Sequence, residues 1–366
     1  MTYISEVIQE LEKLAPLAYQ EGYDNAGLLV GSAQTGISGV LFTLDVTEKV
    51  VEEAIEKKCN LIIAHHPIIF KGLKKLNGNN YVERTIIKAI KNDIAIYAIH
   101  TNLDHIEKGV NWKIAERLGL GNVRVLAPKK NLLMKLAFFV PVKDAKSVLD
   151  ALFAAGAGKI GQYENCSFRT DGTGTFLPGE SAHPVIGTAG KLEEVAEHRI
   201  EVMFPAHMQS KVLSTLRQAH PYEEVAYYLT SLENENQEVG AGAVGELPDA
   251  VDPHNFLNLL KEKMQLNVIK HTAAAGSTIK RVAVCGGAGS FLLPDAIRAN
   301  ADIFITSDYK YHEYFDAENK IMICDIGHYE SEVFTKDLLY NYLSGKFSNF
   351  ARCLSEVNTN PVQYFV

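Results

Sequence analysis

The chain has 366 residues, beyond the length at which a single hydrophobic core stops growing, so two domains are expected. With 47% apolar and 22% charged residues it has the composition of an ordinary globular protein, and a formal charge of −8 with a pI near 5.9 gives no basic footprint for a nucleic-acid partner. No apolar run reaches membrane-spanning length, and Cys59, Cys166, Cys285, Cys324 and Cys353 lack any CxxC spacing, as expected of reduced thiols in a cytoplasmic protein.

The first eleven residues carry acid rather than base and read as an amphipathic helix, unlike the basic start of a signal peptide. Residues 40–44 form an apolar strand, 48–58 a helix with Val50, Val51, Ala54 and Ile55 on one face, and 61–64 the next strand. A helix over 81–91 and a strand over 94–99 complete a βαβαβ unit. Short strands apolar on both faces imply a parallel or mostly parallel sheet covered on both sides.

The second of these strands ends in His65-His66-Pro67. Proline cannot donate to a sheet ladder, so the strand stops there, and strand ends are where α/β proteins place their sites. Both imidazoles are metal-ligand candidates; the alternative is a strand cap beside a solvated histidine. After the third strand comes His100-Thr101-Asn102-Leu103-Asp104-His105, where Asp104 can cap the helix expected near Gly109 or ligate a metal.

Residues 135–141, 145–155, 161–176, 199–205, 208–218 and 224–229 read as strand, helix, Gly/Thr-rich hairpin, strand, helix and strand, the βαββαβ order of a ferredoxin-like insert. The polar stretch 233–238 and Gly240-Ala241-Gly242 read as its exit linker. His220-Pro221-Tyr222 is a turn into the last strand or part of a cleft. The expected domains are residues 1–125 and 240–366, two facing α/β half-domains of one outer domain, with 126–239 inserted between them.

After residue 280 the α/β pattern returns, with strands at 282–285, 302–306 and 321–324, a helical stretch at 292–299, and a final helix opening near His328. His328 and Glu332, four residues apart, project from one helical face, whereas Glu330 points elsewhere. The Gly-rich stretch 285–290 is a weaker candidate, as a phosphate cradle at a helix start. Asp45 precedes His65 by the same twenty residues that separate Gly287 from Ser307, so the halves share a spacing as well as a pattern.

Five segments in this order, Tyr23-Asp24-Asn25-Ala26-Gly27-Leu28, Ala64-His65-His66-Pro67, His100-Thr101-Asn102-Leu103-Asp104, the stretch from Thr306 through Ser307, Asp308, Tyr309, Lys310 and Tyr311 to His312, and that from Asp325 to Glu332, resemble the NGG-interacting-factor-three-like family, whose members are named as type-two GTP cyclohydrolase I homologues. The resemblance implies a dinuclear metal centre, a toroidal homohexamer and, in longer bacterial members, a middle domain similar to the trimeric PII and CutA signalling proteins. Ser307 stands where glycine is usual, and His105 replaces a small or polar residue, as an added ligand or a solvated side chain.

Carried onto this sequence, the metal ligands are His65, His66, Asp104, His328 and Glu332, holding two divalent ions with Glu332 bridging, zinc being the first expectation and iron or manganese the alternatives. His66 with Asp104 and His65 with His328 is the starting assignment, the swap being open. His312 is a candidate for a catalytic or ligand-orienting role. The function expected is a metal-dependent hydrolase of the GTP cyclohydrolase type acting on a nucleotide or phosphorylated small molecule. The alternative is a non-catalytic metal-handling or regulatory hexamer whose insert senses a small molecule.

Overall fold

The computed structural model describes residues 1–365 and separates into two compact units, one formed by Met1–Ala127 and the chain from Glu238 onward, the other by Pro128–Gln237.

The first unit opens with helix α1 (Ile4–Leu14), then β1 (Gly27–Val30), β2 (Gly39–Thr43), α2 (Glu48–Glu56), β3 (Leu61–Ala64), α3 (Tyr81–Lys91), β4 (Ala95–Ala98), α4 (Thr101–Asp104), α5 (Val110–Leu118) and β5 (Gly121–Lys129). Two of these helix starts carry side-chain caps: Thr47 accepts from the Val50 amide at 3.4 Å, and Asn80 from the Glu83 amide at 2.9 Å. Every residue of β2, β3 and β4 is buried, as expected of parallel strands covered on both faces.

The second unit carries β6 (Leu133–Pro141), α6 (Ala145–Ala155), β7 (Phe168–Phe176), β8 (Glu193–Pro205), α7 (Gln209–Ala219) and β9 (Tyr227–Leu232). Its antiparallel sheet has the order β7-β8-β6-β9. Leu136, Phe138, Val140, Ile200, Val202 and Phe204 pack one face of it against Val148, Leu152, Val212 and Leu216 of the two helices, in the βαββαβ order of the split motif. The expected hairpin at 161–176 is instead a tight turn bridged at Ile160 and Tyr163 followed by the single strand β7, whose partner is β8.

The chain then returns through β10 (Asn236–Val251), α8 (Pro253–Met264), β11 (Lys270–His271), β12 (Ile279–Ala288), α9 (Leu293–Arg298), β13 (Ile303–Ser307), β14 (Met322–Asp325), α10 (His328–Glu332), α11 (Thr335–Ser344) and β15 (Ala351–Leu354). The expected exit linker is therefore mostly strand. Its glycines serve close packing: a Cβ on Gly242, at φ +65°, would lie 3.0 Å from the Val284 carbonyl oxygen, and one on Gly245 would lie 3.0 Å from that of Gly121.

The outer unit holds two sheets, ordered β1-β4-β3-β2-β15 and β11-β14-β13-β12-β10-β5. In the first, β15, β2, β3 and β4 are parallel, with β1 antiparallel at the edge; in the second, β12, β13 and β14 are parallel and flanked by antiparallel β10 and β11. In each half, the C-terminal ends of the parallel strands carry the residues described next.

Candidate metal centre

The ladder between β2 and β3 continues two residues past the strand, His65 N donating to the Thr43 carbonyl at 3.3 Å and His66 N to that of Leu44 at 2.9 Å, and ends at Pro67, which has no amide hydrogen. The extension fixes the backbone under both imidazoles. His65 Nδ1 donates to the Ile99 carbonyl at 2.8 Å, so Nε2 is the free face of that ring, and it lies 3.5 Å from Asp104 Oδ1 and 3.8 Å from Glu332 Oε1. His66 Nδ1 lies 2.7 Å from Asp45 Oδ1, with Nε2 2.9 Å from Glu332 Oε2.

His328 repeats the pattern from the other half: Nδ1 is 2.6 Å from Asp308 Oδ2 and Nε2 is 3.1 Å from Glu332 Oε2. Asp308 adopts the left-handed backbone conformation, φ +59°, which aspartate tolerates better than most residues. His100 is a fourth imidazole of this kind, with Nδ1 2.7 Å from Asp24 Oδ1 and its ring centroid 5.3 Å from that of His65 and 5.4 Å from that of His66. Holding the outward nitrogen on an acceptor fixes tautomer and orientation and presents Nε2 inward, the usual outer shell of metal-ligating histidines.

The donor atoms form three overlapping groups whose members lie within 4.8 Å of one another: His65 with Asp104 and Glu332, His66 with His328 and Glu332, and His65 with His66 and His100. All five expected ligands are thus brought together. The grouping reverses the starting assignment, pairing His65 with Asp104 and His66 with His328, because α10 presents His328 to the His66 side.

Glu332 is almost fully buried, at 3% exposure, and its two oxygens diverge, Oε1 toward His65 and Oε2 toward His66 and His328. Room for that carboxylate accounts for Gly286 and Gly287 of the Gly-rich stretch 285–290. A Cβ on Gly287, at φ +66°, would fall 2.5 Å from Glu332 Oε1, and one on Gly286 would fall 3.3 Å from Glu332 Cγ. The Gly286 and Gly287 amides donate to Asn111 Oδ1 and Ser331 Oγ, each at 2.9 Å, so they are not a phosphate cradle.

Burial and Glu332's negative charge push the Asp104 carboxyl up to about 7. Burial would raise Glu332 as well, but hydrogen bonds from His328 and His66, with the His65 imidazole beside them, hold it well below the usual carboxylate range. Burial opposes protonation of His66, yet Asp45 and Glu332 outweigh it and push that imidazole up to about 10; Glu332 and Asp308 likewise bring His328 to about 9. Asp24 is pulled down to about 2 because hydrogen bonds from His100 and Thr101 outweigh its burial.

His65 Nε2 and Asp104 Oδ1 are buried and face each other without a hydrogen bond among the described residues. Each such atom costs roughly 1–3 kcal/mol when unsatisfied. Four imidazoles presenting Nε2 among the carboxylates of Asp104 and Glu332 form a donor set suited to a borderline divalent cation, which would satisfy both atoms.

Other expectations fare differently. His312 lies outside these groups, exposed on the 3₁₀ segment Tyr311–Ala317 with its ring against Tyr311 and Phe315. His105 is buried and its Nε2 lies 2.8 Å from Glu21 Oε1, so it is not a solvated side chain. Asp104 closes α4 and does not cap α5, whose N-cap is Gly109. His220 ends α7 in a turn, with Nε2 2.8 Å from the Phe139 carbonyl. Ser307 is buried at the end of β13.

Residues 2–361 match the model of the Duf34/NIF3 (NGG1p interacting factor 3) family. The chain belongs to that family. Among Duf34/NIF3 relatives, a Bacillus subtilis (strain 168) protein named GTP cyclohydrolase 1 type 2 homolog is 39% identical over 364 residues, covering 98% of each chain. A Halalkalibacterium halodurans protein of the same name is 39% identical over 363 residues, again covering 98% of each. The solved structure of a Bacillus cereus protein related to NIF3 superposes with a TM-score of 0.87 at 38% identity, covering 100% of this chain and 99% of that one. A Staphylococcus aureus protein superposes at 0.79 with 31% identity, covering 100% and 99%. No helix among the described residues is long and apolar enough to cross a membrane.

Proposed function

We propose that this Duf34/NIF3 protein holds two divalent metal ions, zinc first and iron or manganese as alternatives, and works as a metal-dependent hydrolase on a nucleotide-type substrate. The observation that carries this reading is the divergence of the Glu332 oxygens toward two groups of histidines, the disposition of a bridging carboxylate. His65, Asp104 and Glu332 would hold one ion, and His66, His328 and Glu332 the other, with His100 beside both. A pair of bound divalent ions lowers the pKa of water and polarises an attacked centre at neutral pH. The chain's own contribution is orientation: Asp45, Asp24, Asp308 and the Ile99 carbonyl each hold an imidazole by Nδ1, and protein donors too few to close two coordination shells leave positions for water and substrate.

The name shared by the Bacillus subtilis and Halalkalibacterium relatives supports a ring-opening hydrolysis of the cyclohydrolase type. In the same reading the protein is a cytoplasmic homohexamer, and residues 128–237 are a dispensable insert for metal binding, since none of the donors lies in them. Elemental analysis of purified protein, followed by turnover of GTP and of phosphoesters with an Asp104→Asn control, tests the function. Two ions per chain and hydrolysis lost in the control are expected; ion-loaded protein inert toward every substrate would replace the hydrolase with a metal-handling assembly. Light scattering checks the hexamer.

A further inference from the structure

A cavity of about 410 Å³ opens beside the His66–His328 end of the centre, within the size range of small-molecule sites. His66, His328, Asp45 and Asp308 line it, whereas His65, His100 and Asp104 do not. Its apolar surface comes from Leu44, Val268, Ile326, Tyr329, Val362 and Tyr364. Val362 and Val268 are 53% and 38% exposed, apolar surface facing a polar centre.

The polar lining is acidic. Asp45, Asp308, Asp325 and Glu330 contribute carboxylates, and Lys270 is the one lysine or arginine among the lining residues. That ammonium is committed, 2.7 Å from the buried Asp325 Oδ2. A triphosphate needs several cationic or amide donors, which this wall lacks. Carboxylates beside aromatic and aliphatic surface instead suit a flat ring with N–H donors on its edge. Asp308 uses Oδ2 on His328, and Glu330 uses Oε1 on the Asn360 amide at 2.9 Å, so each retains acceptor capacity.

One wall is the C-terminal segment. Ser355 N donates to the Phe42 carbonyl at 2.8 Å, Thr359 Oγ1 to Asp45 Oδ2 at 2.6 Å, and the Tyr364 hydroxyl bonds Glu330. The segment is thereby fastened to the same carboxylates that orient His66 and flank His328.

We infer that this cavity is the substrate site of the centre, that it takes an uncharged nitrogen heteroaromatic ring by its N–H edge with Glu330 and Asp308 as acceptors, and that Tyr364 of the C-terminal segment packs against the ring. The inference rests on the dinuclear-metal reading and adds that the base, not the phosphates, is what the pocket recognises.

The test is calorimetric binding of guanosine, adenosine, GTP and inorganic triphosphate to the full-length, metal-loaded protein, with ion content measured on the same samples. A nucleoside should bind, and triphosphate, whose partners there would be the ions alone, should bind more weakly than GTP. Tyr364→Ala should weaken nucleoside binding about tenfold with ion content unchanged, Tyr364→Phe should restore it, and Glu330→Gln should weaken it without loss of ions. Binding of neither nucleoside, triphosphate binding as tightly as GTP, or an unaltered Tyr364→Ala variant would each overturn the inference while leaving the ion count intact. Protein that takes up no ions on loading yet binds nucleosides in this pattern would overturn the dinuclear reading alone.

Discussion

The two ends of the centre are built from the same residue types but stand in different surroundings. At the His65 end the imidazole is wholly buried, its outward nitrogen is held by a backbone carbonyl, and its carboxylate partner is raised to about 7 by burial and by Glu332. At the His66 end both imidazoles lean on carboxylates, His328 is 42% exposed, and the cavity opens beside them. Burial holds the first end in one geometry and low dielectric strengthens its interactions. Carboxylate partners make the second end's ligands more basic while leaving room for exchange. In the two-ion proposal, an ion at the first end would therefore be an anchor, and one at the second end would meet substrate.

Glu332→Gln gives the largest expected effect, because one carboxylate serves both ends. Both ions should be lost on dialysis that leaves them in the parent protein, a fall beyond the roughly 10–100-fold that an outer partner contributes. Glu330→Gln should lose neither, since residue 330 lies on a different face of α10 from 328 and 332. Two ions per chain in both variants would erase the bridging role. Next come His65→Ala and His328→Ala, each expected to remove one ion. Only the first empties buried volume, so thermal unfolding should report a further loss of about 2–3 kcal/mol for His65→Ala and little for His328→Ala. Equal destabilisation would mean the ends do not differ in burial as described. Asp308→Asn is subtler: metal titration should give about 10–100-fold weaker binding at the open end and unchanged binding at the buried one.

Much of this was legible in the sequence where side chains alone decide the outcome. The runs that became β2, β3 and β4 are apolar on both faces and could only be covered parallel strands, and His328 and Glu332 declare a shared helical face by spacing. His100 carried a weaker signal: β3 and β4 are in register at Ala64 and Ala98, so a histidine just past either strand arrives at the same edge. Asp45 and Asp308 follow the ends of β2 and β13 in the same way. The pairing of ligands was not legible, because it depends on the angle at which α10 meets β3 from the other half. The start of β10, up to Gly242, reads as linker because glycines required for backbone contact resemble glycines that confer freedom. The C-terminal segment has no periodicity at all; its fastening to Asp45 and Glu330 exists only in three dimensions.

The smallest expected effect concerns that segment at its root, away from the ions. Glu53 accepts hydrogen bonds from Lys57 Nζ at 2.8 Å, Ser355 Oγ at 2.5 Å and the Glu356 amide at 2.8 Å, tying α2 to the residues that follow β15. Burial would raise this carboxyl, but the Glu356 amide, Lys57 and Ser355 outweigh it and hold it below the usual range. A carboxyl lowered on folding adds stability that is fully present above its unfolded value, about 4.3, and is lost as pH falls through the folded one. Glu53→Gln keeps the size but turns a charged acceptor into a neutral amide, so it should cost about 1–3 kcal/mol at pH 7. The gap between parent and variant in chemical denaturation should stay constant from pH 7 to about 5, begin to narrow as pH falls past the unfolded value of about 4.3, and close only as pH falls through the lowered folded value, below which the parent's carboxyl is neutral as well. Both ions should remain, because this tie holds the start of the segment and no ligand. A gap as large at pH 3.5 as at pH 7 would show that Glu53 acts by shape rather than charge. Loss of the ion from the open end would show instead that the segment braces His66 through Asp45, which would make the two ends differ in support as well as in burial.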